Sequence, residues 1–355
     1  MNKCIAVFVK NLTSGGAEKQ AVLLAKALSG DYVVHFIILN GDKLHKKYLD
    51  LLREDKRVNV AMFHGGHFSR FTQFVKYLKI NRISIVFSYL TAANAYASMA
   101  SFFHKMNVYT GLRNAELPPL KLLADRVMTN LVAAKAIANC YSGKKNFSAH
   151  GFRKDKIEVI PNCFENIQPY QMKALKEVKH IITVGRFVAQ KDYETAIKTI
   201  AEVKKKYANI HFDLVGYGEL ESQIRSWVKQ YGVEDVTTIY INPHNIPELL
   251  NCADIYLSTS LFEGTSNSIM EGMNANMPIV CTNVGDNGYL VENNKNGFLT
   301  SIGDYKKLAD RILDLLNDEH LCKAMGKRSK EHLQNDYSTD IFRKRYIDVL
   351  KNVIS

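Results

Sequence analysis

A regular alternation of short apolar segments with longer amphipathic ones constrains the fold of this chain most. The short segments are rich in β-branched and aromatic residues and predict strands at 5–9, 33–39, 58–62, 83–88, 108–112, 136–139, 157–160, 181–184, 211–215, 237–240, 255–258 and 279–281. Between them apolar residues recur at helical spacing, as at 17–28, 193–207, 219–231, 246–251 and 306–316. Strand-helix alternation predicts parallel sheets with helices on both faces, which is the doubly wound α/β class.

The length of 355 residues suits two domains of ordinary size. A polar, proline-containing stretch at 161–171 interrupts the alternation before the next buried strand begins at residue 181. We therefore predict one Rossmann-like domain over 1–165 and a second over 166–338. Ligands of open α/β sheets bind at the carboxyl ends of the strands, so two facing domains predict a working site in the cleft between them.

Composition excludes several classes of protein. Hydrophobic residues make up 46% and charged residues 23% of the chain, which is the balance of a folded globular protein. No apolar run approaches the roughly 18 residues that cross a bilayer, and the start of the chain predicts a first strand, not a signal peptide. The 6 cysteines stand singly, which favours neither a zinc site nor a disulfide framework and predicts a reducing, cytoplasmic environment.

The net charge of +12 is distributed unevenly along the chain. Residues 1–165 contain 24 Lys and Arg against 11 Asp and Glu, whereas residues 166–355 contain 23 against 24. This asymmetry predicts an anionic partner for the first half, with an anionic membrane surface and nucleic acid as the two classes. A diffusely charged surface that only aids solubility is the other interpretation.

The segment 67–82 combines aromatic and basic residues in a helical pattern. Phe71, Phe74, Val75 and Leu78 share one face, and Arg and Lys residues surround it. Such a helix can lie in the headgroup plane of an anionic membrane, although packing against its own sheet is an equally weighted alternative.

Two glycine turns follow predicted strands. Gly15 and Gly16 open a helix, and Gly218 follows the strand 211–215. Backbone without side chains can approach a phosphate closely, and a helix start favours an anion. Neither turn has the third glycine of the dinucleotide fingerprint, which counts against an oxidoreductase, and each could be a plain tight turn.

Arg186 and Lys191 follow the strand 181–184 directly. A guanidinium and an ammonium at a strand's carboxyl end would neutralise a diphosphate, including the charge that develops on it as a leaving group. Two separate surface side chains are the alternative.

The segment 263–271 is the most specific part of the sequence. It follows the strand 255–258 and turns into a helix, with Ser266 or Asn267 as a plausible N-cap. The turn would direct backbone N–H groups toward a diphosphate, and two carboxylates would accept hydrogen bonds from sugar or ribose hydroxyls. Alternatively, the second carboxylate only caps its helix or pairs with a lysine. The residues of this site are Glu263, Gly264, Asn267, Ser268, Ile269 and Glu271.

These motifs together resemble glycosyltransferase family 4. The resemblance rests on Gly15-Gly16-Ala17-Glu18, Val159-Ile160-Pro161-Asn162, Val184-Gly185-Arg186 with Lys191, Val215-Gly216-Tyr217-Gly218, the pair Glu263 and Glu271, Pro278-Ile279-Val280 and Asn296-Gly297-Phe298-Leu299. It implies a GT-B fold, with two Rossmann-like domains facing across a cleft and a C-terminal helix, 339–355, that returns to the first domain. It also implies sugar transfer from a nucleotide diphosphate sugar, with a UDP-sugar favoured, with retention of configuration and without a metal or other cofactor. The sequence has no Asp-x-Asp triplet, in agreement with that implication.

The resemblance also implies roles for particular residues. Arg186 and Lys191 would hold the diphosphate, Glu263 would bind the donor sugar and Glu271 the ribose. Gly15 and Gly16 would let the acceptor domain close on the donor phosphates, and the nucleotide diphosphate itself would take the acceptor proton. Many family members have a His after the strand 108–112, where this chain has Arg113 and Asn114. That departure leaves the sugar open and makes Arg113 a candidate phosphate or sugar contact.

The resemblance finally implies a glycan or polyprenyl-diphosphate-linked acceptor. Joined to the basic first half, it predicts a cytoplasmic enzyme peripherally bound to the inner face of the plasma membrane, in polysaccharide or glycoconjugate biosynthesis. A GT-B sugar-nucleotide epimerase is the alternative enzyme. Nucleic-acid binding is disfavoured, since no clustered basic and aromatic surface or helix-turn-helix pattern stands out.

Overall fold

The computed structural model describes residues 3–113, 117–171, 173 and 176–354. The chain divides into two compact units, Met1–Glu165 with Ser338–Ser355 (unit 1) and Asn166–Tyr337 (unit 2). The boundary between the units after residue 165 lies where the sequence predicts a domain break. Unit 2 ends at Tyr337, one residue before the predicted end of the second domain at 338.

Unit 1 begins with a seven-stranded sheet. Its strands are β1 (Cys4–Val9), β2 (Val33–Ile38), β3 (Val58–Met62), β4 (Ile85–Tyr89), β5 (Asn107–Leu112), β6 (Lys135–Ala138) and β7 (Ile157–Val159). The helices between them are α1 (Gly16–Leu28), α2 (Lys46–Glu54), α3 (His67–Ile80), α4 (Leu90–Ala100), α5 (Pro119–Val127) and α6 (Tyr141–Ala149). All strand pairs are parallel, in the order β3-β2-β1-β4-β5-β6-β7.

Unit 2 has a six-stranded parallel sheet of the same design. Its strands are β8 (Lys179–Arg186), β9 (Ile210–Tyr217), β10 (Thr237–Ile241), β11 (Ile255–Ser258), β12 (Ile279–Thr282) and β13 (Gly297–Thr300), in the order β10-β9-β8-β11-β12-β13. Its helices are α7 (Tyr193–Lys204), α8 (Glu221–Gln230), α9 (Ile246–Cys252), α10 (Asn267–Asn274), α11 (Asn287–Leu290), α12 (Tyr305–Asn317) and α13 (Glu319–Tyr337). The last helix of the chain, α14 (Thr339–Ile354), belongs to unit 1.

Buried apolar side chains hold helices against both faces of the sheet in unit 1. In unit 1, α1 and α2 pack on one face of the sheet, and α3 and α4 pack on the other. The returning helix α14 completes the first face with its buried residues Phe342, Tyr346 and Leu350. An ion pair of 2.6 Å between Arg343 and Asp31 fixes α14 beside the end of α1. No helix in the described part of the chain combines the length and the hydrophobicity that crossing a bilayer requires.

The strand order creates one crevice in each sheet. In unit 1, β1 lies between β2 and β4, and in unit 2, β8 lies between β9 and β11. The chain leaves β1 and β4 toward opposite sides of the first sheet, and it leaves β8 and β11 toward opposite sides of the second. The loops that follow each of these two pairs of strands therefore diverge. Such switch points are where open α/β sheets bind ligands.

One strand was not predicted. β13 follows the turn-forming sequence Asn293-Asn294-Lys295-Asn296 and starts with a glycine, so its sequence lacks a clear strand signal. Gly297 is required there because a Cβ would lie 2.0 Å from the carbonyl oxygen of Ile279 on β12. The predicted helix at 219–231 begins two residues later, at Glu221, and the one at 193–207 ends at Lys204.

Candidate active site

Two loops meet at the switch point of unit 2. The first follows β8 and contains Lys191, and the second follows β11 and contains Thr259 and Glu263. Thr259 donates its hydroxyl to the carbonyl oxygens of Lys191 (2.9 Å) and Asp192 (2.8 Å). The backbone N–H of Leu261 and the side-chain amide of Gln190 add two more bonds between the loops, both of 2.8 Å. These hydrogen bonds fix the edge at which the side chains converge.

Lys191 and Glu263 form an ion pair across this edge. The Lys191 ammonium lies 2.5 Å from Glu263 Oε1, and Ser260 donates its hydroxyl to the same oxygen at 2.8 Å. Only 17% of the lysine side chain and 9% of the glutamate side chain are exposed. The pair is thus a short, charge-assisted contact in a largely dehydrated setting. Sequence reasoning proposed both residues separately and did not predict that they bind each other.

The negative charge of Glu263 also acts on its neighbours. The pKa of the Tyr193 phenol and the pKa of the Cys281 thiol both lie above their ordinary values, first because the groups are buried and then because Glu263 is near. Cys281 is therefore a buried core thiol held protonated.

Arg186 is the last residue of β8 and is exposed. Its side chain makes no hydrogen bond or ion pair with another described residue. The structure thus places Arg186 and Lys191 after the same strand, the first free in solvent and the second engaged by Glu263.

Glycines let the loops at this edge approach one another in two pairs, after β12 and β11 and after β9 and β8. Gly285, after β12, has φ +52°, and a Cβ on it would lie 1.8 Å from the carbonyl oxygen of Glu263. Gly218, after β9, has φ +154°, and its Cβ would lie 2.5 Å from the carbonyl oxygen of Phe187. Gly218 was predicted to bind substrate, and here it permits backbone packing. Gly285 was not predicted, although its position after a strand was a usable signal.

The segment 263–271 folds as predicted into a loop and a helix start. Ser266 is the N-cap of α10, and its hydroxyl accepts a hydrogen bond from the Ile269 N–H at 3.5 Å. The sequence predicts that the backbone N–H groups of Asn267, Ser268 and Ile269 hold an anion, and the N–H of Ile269 instead donates to the N-cap. Asn267 is exposed and Ser268 half-buried at the same helix start, and Gly264 is half-buried in the loop.

Glu271 lies one turn into α10 and is half-buried. Its carboxylate is close enough to Tyr256 to act on it: burial first, and the charge of Glu271 to a smaller extent, raise the pKa of that phenol. The Tyr256 hydroxyl donates to the carbonyl oxygen of Val184 on β8 at 3.2 Å. Glu271 thus belongs to the same strand edge as the Lys191–Glu263 pair.

In unit 1, Gly15 is the N-cap of α1 and Gly16 is its first residue. The Glu18 carboxylate folds back over them: Thr13 donates its hydroxyl to Glu18 at 2.9 Å, and a Cβ on Gly15 would lie 2.3 Å from the other Glu18 oxygen. A carboxylate is stabilised by the positive end of the helix. The predicted phosphate position thus has a carboxylate of the chain itself beside it.

Arg113, at the end of β5, has partners within unit 1. Its guanidinium stacks on the Tyr89 ring at 4.5 Å and donates to the Tyr346 hydroxyl (3.2 Å) and to the Asn162 side-chain oxygen (3.3 Å). These contacts join the sheet to α14, so Arg113 positions structure in addition to any ligand contact. Asn114 lies outside the described residues.

A pocket of about 420 Å³ opens at the switch point of unit 1, between the ends of β1 and β4. Its lining includes Asn11, Glu18, Leu90, Thr91 and Lys121. Leu90 has φ +71°, a strained conformation for a bulky residue and typical of functional sites. The sequence did not predict this pocket, because no local sequence pattern indicates that a leucine adopts the left-handed backbone conformation.

Comparison with known proteins adds the class of activity. Residues 167–332 match the family model of glycosyl transferases group 1, which places the match within unit 2. An uncharacterized glycosyltransferase of Haemophilus influenzae is 23% identical over 363 residues, covering 95% of this chain and 97% of that protein. A second relative, from Campylobacter jejuni, is 22% identical over 358 residues, covering 92% of this chain and 93% of that protein. It is the N-acetylgalactosamine-N,N'-diacetylbacillosaminyl-diphospho-undecaprenol 4-alpha-N-acetylgalactosaminyltransferase.

Among solved structures, the protein HepE of Anabaena, crystallised with UDP, superposes with a TM-score of 0.83 at 17% identity, covering 99% of this chain and 100% of that one. The two parallel sheets of 7 and 6 strands are those of the GT-B fold, and this confirms the predicted fold class. The match to the group 1 model and the glycosyltransferase relatives together show that the chain is a transferase of the glycosyltransferase class, EC 2.4.

Proposed function

We propose that the protein transfers a sugar, with retention of anomeric configuration, from a UDP-sugar to a glycan or a polyprenyl-diphosphate-linked acceptor. The observation that carries the proposal is the Lys191–Glu263 pair at the β8–β11 switch point, inside the family-matched segment. The choice of UDP is supported by the UDP complex of the Anabaena protein. The name of the Campylobacter relative, which includes diphospho-undecaprenol, supports the lipid-linked acceptor and a role in polysaccharide or glycoconjugate biosynthesis.

In this proposal the donor's diphosphate lies against the end of β8. Arg186 is exposed there and Lys191 follows it, so the two cations neutralise the phosphates and the charge that develops as the nucleotide departs. The start of α10 offers the amides of Asn267 and Ser268. Glu263 accepts hydrogen bonds from donor-sugar hydroxyls, and Glu271 accepts them from the ribose.

The reaction proceeds on one face of the sugar. The bond between the anomeric carbon and the diphosphate oxygen breaks while the acceptor oxygen bonds to the same carbon, and the departing diphosphate takes the acceptor proton. No protein nucleophile is required in this scheme. We also propose that no metal ion is required, since Arg186 and Lys191 supply the positive charge that a metal would provide.

The proposal places the enzyme at the inner face of the plasma membrane, bound peripherally from the cytoplasm. Its support is the excess of basic residues in 1–165, which suits an anionic lipid surface. Nucleic acid is not part of the proposal, because no residue pattern for it stands out.

Ligand-induced thermal stabilisation tests the donor site. Wild type and Glu271→Ala are heated with UDP, GDP, ADP, several UDP-sugars or NAD, each with and without EDTA. A ligand at about 100 times its Kd adds roughly 2.7 kcal/mol, so a rise with UDP that weakens in the variant and survives EDTA is expected. A response to NAD alone, or to none of the nucleotides, would refute the proposal.

Product analysis separates the transferase from the epimerase. The enzyme is incubated with a UDP-sugar and no acceptor. We expect unchanged donor or slow release of UDP; accumulation of an epimeric UDP-sugar would favour the epimerase instead.

A further inference from the structure

An apolar surface lies on the outside of α3 and the end of α4, here named the α3–α4 surface. Three of its side chains are largely exposed and line one groove: Phe68 (83%), Ile80 (68%) and Phe103 (61%). Scattered apolar residues are normal on a protein surface, but several adjoining large ones mark an interaction site.

The α3–α4 surface is held in a fixed shape. The Phe71 ring contacts the Phe103 ring edge to face, with centroids 5.8 Å apart. The Tyr96 hydroxyl and His67 Nδ1 form a hydrogen bond of 2.6 Å between the two helices. The inner face of α3 is separate, since Phe74 and Leu78 are fully buried against the sheet. The exposed aromatic side chains of this surface therefore do not contribute to the hydrophobic core.

A groove of about 630 Å³ runs along this surface. Phe68, Phe71, Val75 and Phe103 form its apolar walls, and Lys76 and Lys79 line it as well. Both lysines are exposed and form no ion pair with another described residue. The groove thus presents apolar walls with cations beside them.

The segment that contains the α3–α4 surface carries an excess of positive charge, and Asp42, from outside that segment, pairs with Arg70 of α3 at 3.1 Å. The sequence from 63 to 135 contains 9 Lys and Arg but only 2 acidic residues, Glu116 and Asp125. α3 and α4 contain no acidic residue. Asp125 is buried, and its two oxygens accept hydrogen bonds from Thr91 and Asn94. It therefore does not neutralise the outer lysines.

We propose that the α3–α4 surface docks onto an anionic phospholipid bilayer, with the phenylalanines at the acyl boundary and Lys76 and Lys79 at the lipid phosphates. Apolar residues bordered by lysines that form no ion pair with another described residue are the pattern of an interfacial helix. A protein partner fits less well, because lysine is depleted from the cores of protein interfaces. The inference rests on the proposed function only for its purpose, which is access to a lipid-linked acceptor.

Co-sedimentation with vesicles tests this surface on the full chain, without any sugar substrate. Vesicles contain phosphatidylcholine alone or with 30% phosphatidylglycerol. Wild type should bind the anionic vesicles more tightly, and Lys76→Gln/Lys79→Gln should weaken that binding roughly thirtyfold, about fivefold for each lysine. Phe68→Ser/Phe103→Ser should weaken binding to a similar degree, because the acyl contact is lost.

The matched control is Lys46→Gln/Lys47→Gln on α2, which packs on the opposite face of the same sheet. It removes the same charge from unit 1 and should bind nearly as wild type does. Thermal stabilisation by UDP, measured on every variant, verifies folding and tests the donor site independently. The proposal is overturned if wild type does not prefer anionic vesicles, if both lysine pairs have equal effects, or if sedimentation velocity shows a dimer that Phe68→Ser/Phe103→Ser dissociates.

Discussion

Lys191 and Glu263 are each other's counter-ion: 2.5 Å separates the ammonium from Oε1, and the contact joins the loop after β8 to the loop after β11. The cation expected at the diphosphate and the carboxylate expected at the donor sugar are thus one unit. A change to either residue releases the other, so their substitutions should affect nucleotide binding differently.

Lys191→Ala removes a phosphate ligand, and we expect it to raise the Kd for UDP at least tenfold and to lower turnover at least as much. Glu263→Ala should lower turnover by a similar factor but leave the Kd for UDP unchanged or lower, because the freed ammonium can serve the diphosphate. Glu263→Ala should also cost roughly 2 to 3 kcal/mol of unfolding free energy, since a mostly buried lysine loses its partner. Calorimetric titration with UDP and a turnover assay measure the split.

Lys198→Ala is the control for this experiment. Lys198 forms an i,i+4 pair with Glu194 at 2.9 Å, both about one third exposed, and lies outside the proposed site. It should leave UDP binding unchanged. Equal weakening of UDP binding by Lys191→Ala and Glu263→Ala would contradict the assigned roles.

Gly285→Ala tests the close approach behind Glu263. The new Cβ would lie 1.8 Å from the Glu263 carbonyl oxygen at φ +52°, so the loop must move. We expect a loss of at least 2 kcal/mol in unit 2 and a more than tenfold loss of turnover. Trp227, the chain's single tryptophan, lies on α8, so its fluorescence reports the unfolding of unit 2.

Gly303→Ala is the matched control, because Gly303 has φ +73° but no atom near its Cβ position. This variant should lose only about 1 kcal/mol of unfolding free energy, because alanine is disfavoured in the left-handed backbone conformation, and its turnover should be unchanged. If the two variants lose equal stability and activity, the contact with Glu263 is not the cause.

Local pattern was enough to predict most of the fold. Short apolar runs rich in β-branched and aromatic residues predicted the strands of both sheets apart from β13, and Arg186, Lys191 and Glu263 lie at or after strand ends as the sequence predicts. The strand predictions succeeded because each depends on residues close together in sequence. β13 failed for the same reason, since its turn-forming residues and Gly297 are explained only by the neighbouring strand β12.

Contacts between distant residues could not be predicted in this way. Lys191 and Glu263 are 72 residues apart, and their pairing requires that β8 and β11 be neighbours in the sheet. Arg113 is 233 residues from Tyr346, whose hydroxyl accepts its hydrogen bond.

Ser266→Ala removes the N-cap of α10. The loss of the bond from the Ile269 N–H should cost about 1 kcal/mol and loosen the helix start that is proposed to face the diphosphate. We expect the Kd for UDP to rise several-fold. Asp304→Ala removes the N-cap of α12, which accepts from the Lys307 N–H at 3.0 Å, and should lower stability comparably without weakening UDP binding. Equal Kd values for the two variants would count against an anion site at α10.

The other end of α10 predicts a pH dependence. Lys330 on α13 is buried, and its ammonium donates to the backbone oxygen (2.5 Å) and side-chain oxygen (2.8 Å) of Asn274, the last residue of α10. Burial lowers the pKa of Lys330 to about 8. An unfolded lysine titrates near 10.4, so between these two values the unfolded chain holds more protons than the folded one.

Stability contributed by this group therefore rises with pH from about 8 to about 10 and is lost as pH falls through 8. Lys330→Met has no such proton, so the unfolding free energy of wild type minus that of the variant should increase over the same interval. Urea unfolding followed by Trp227 fluorescence at pH 7, 8, 9 and 10 measures the difference. Lys327→Met, on the same helix but with its side chain 60% exposed, should give a flat difference. A flat curve for Lys330→Met as well would mean that this buried ammonium titrates as it does in the unfolded chain.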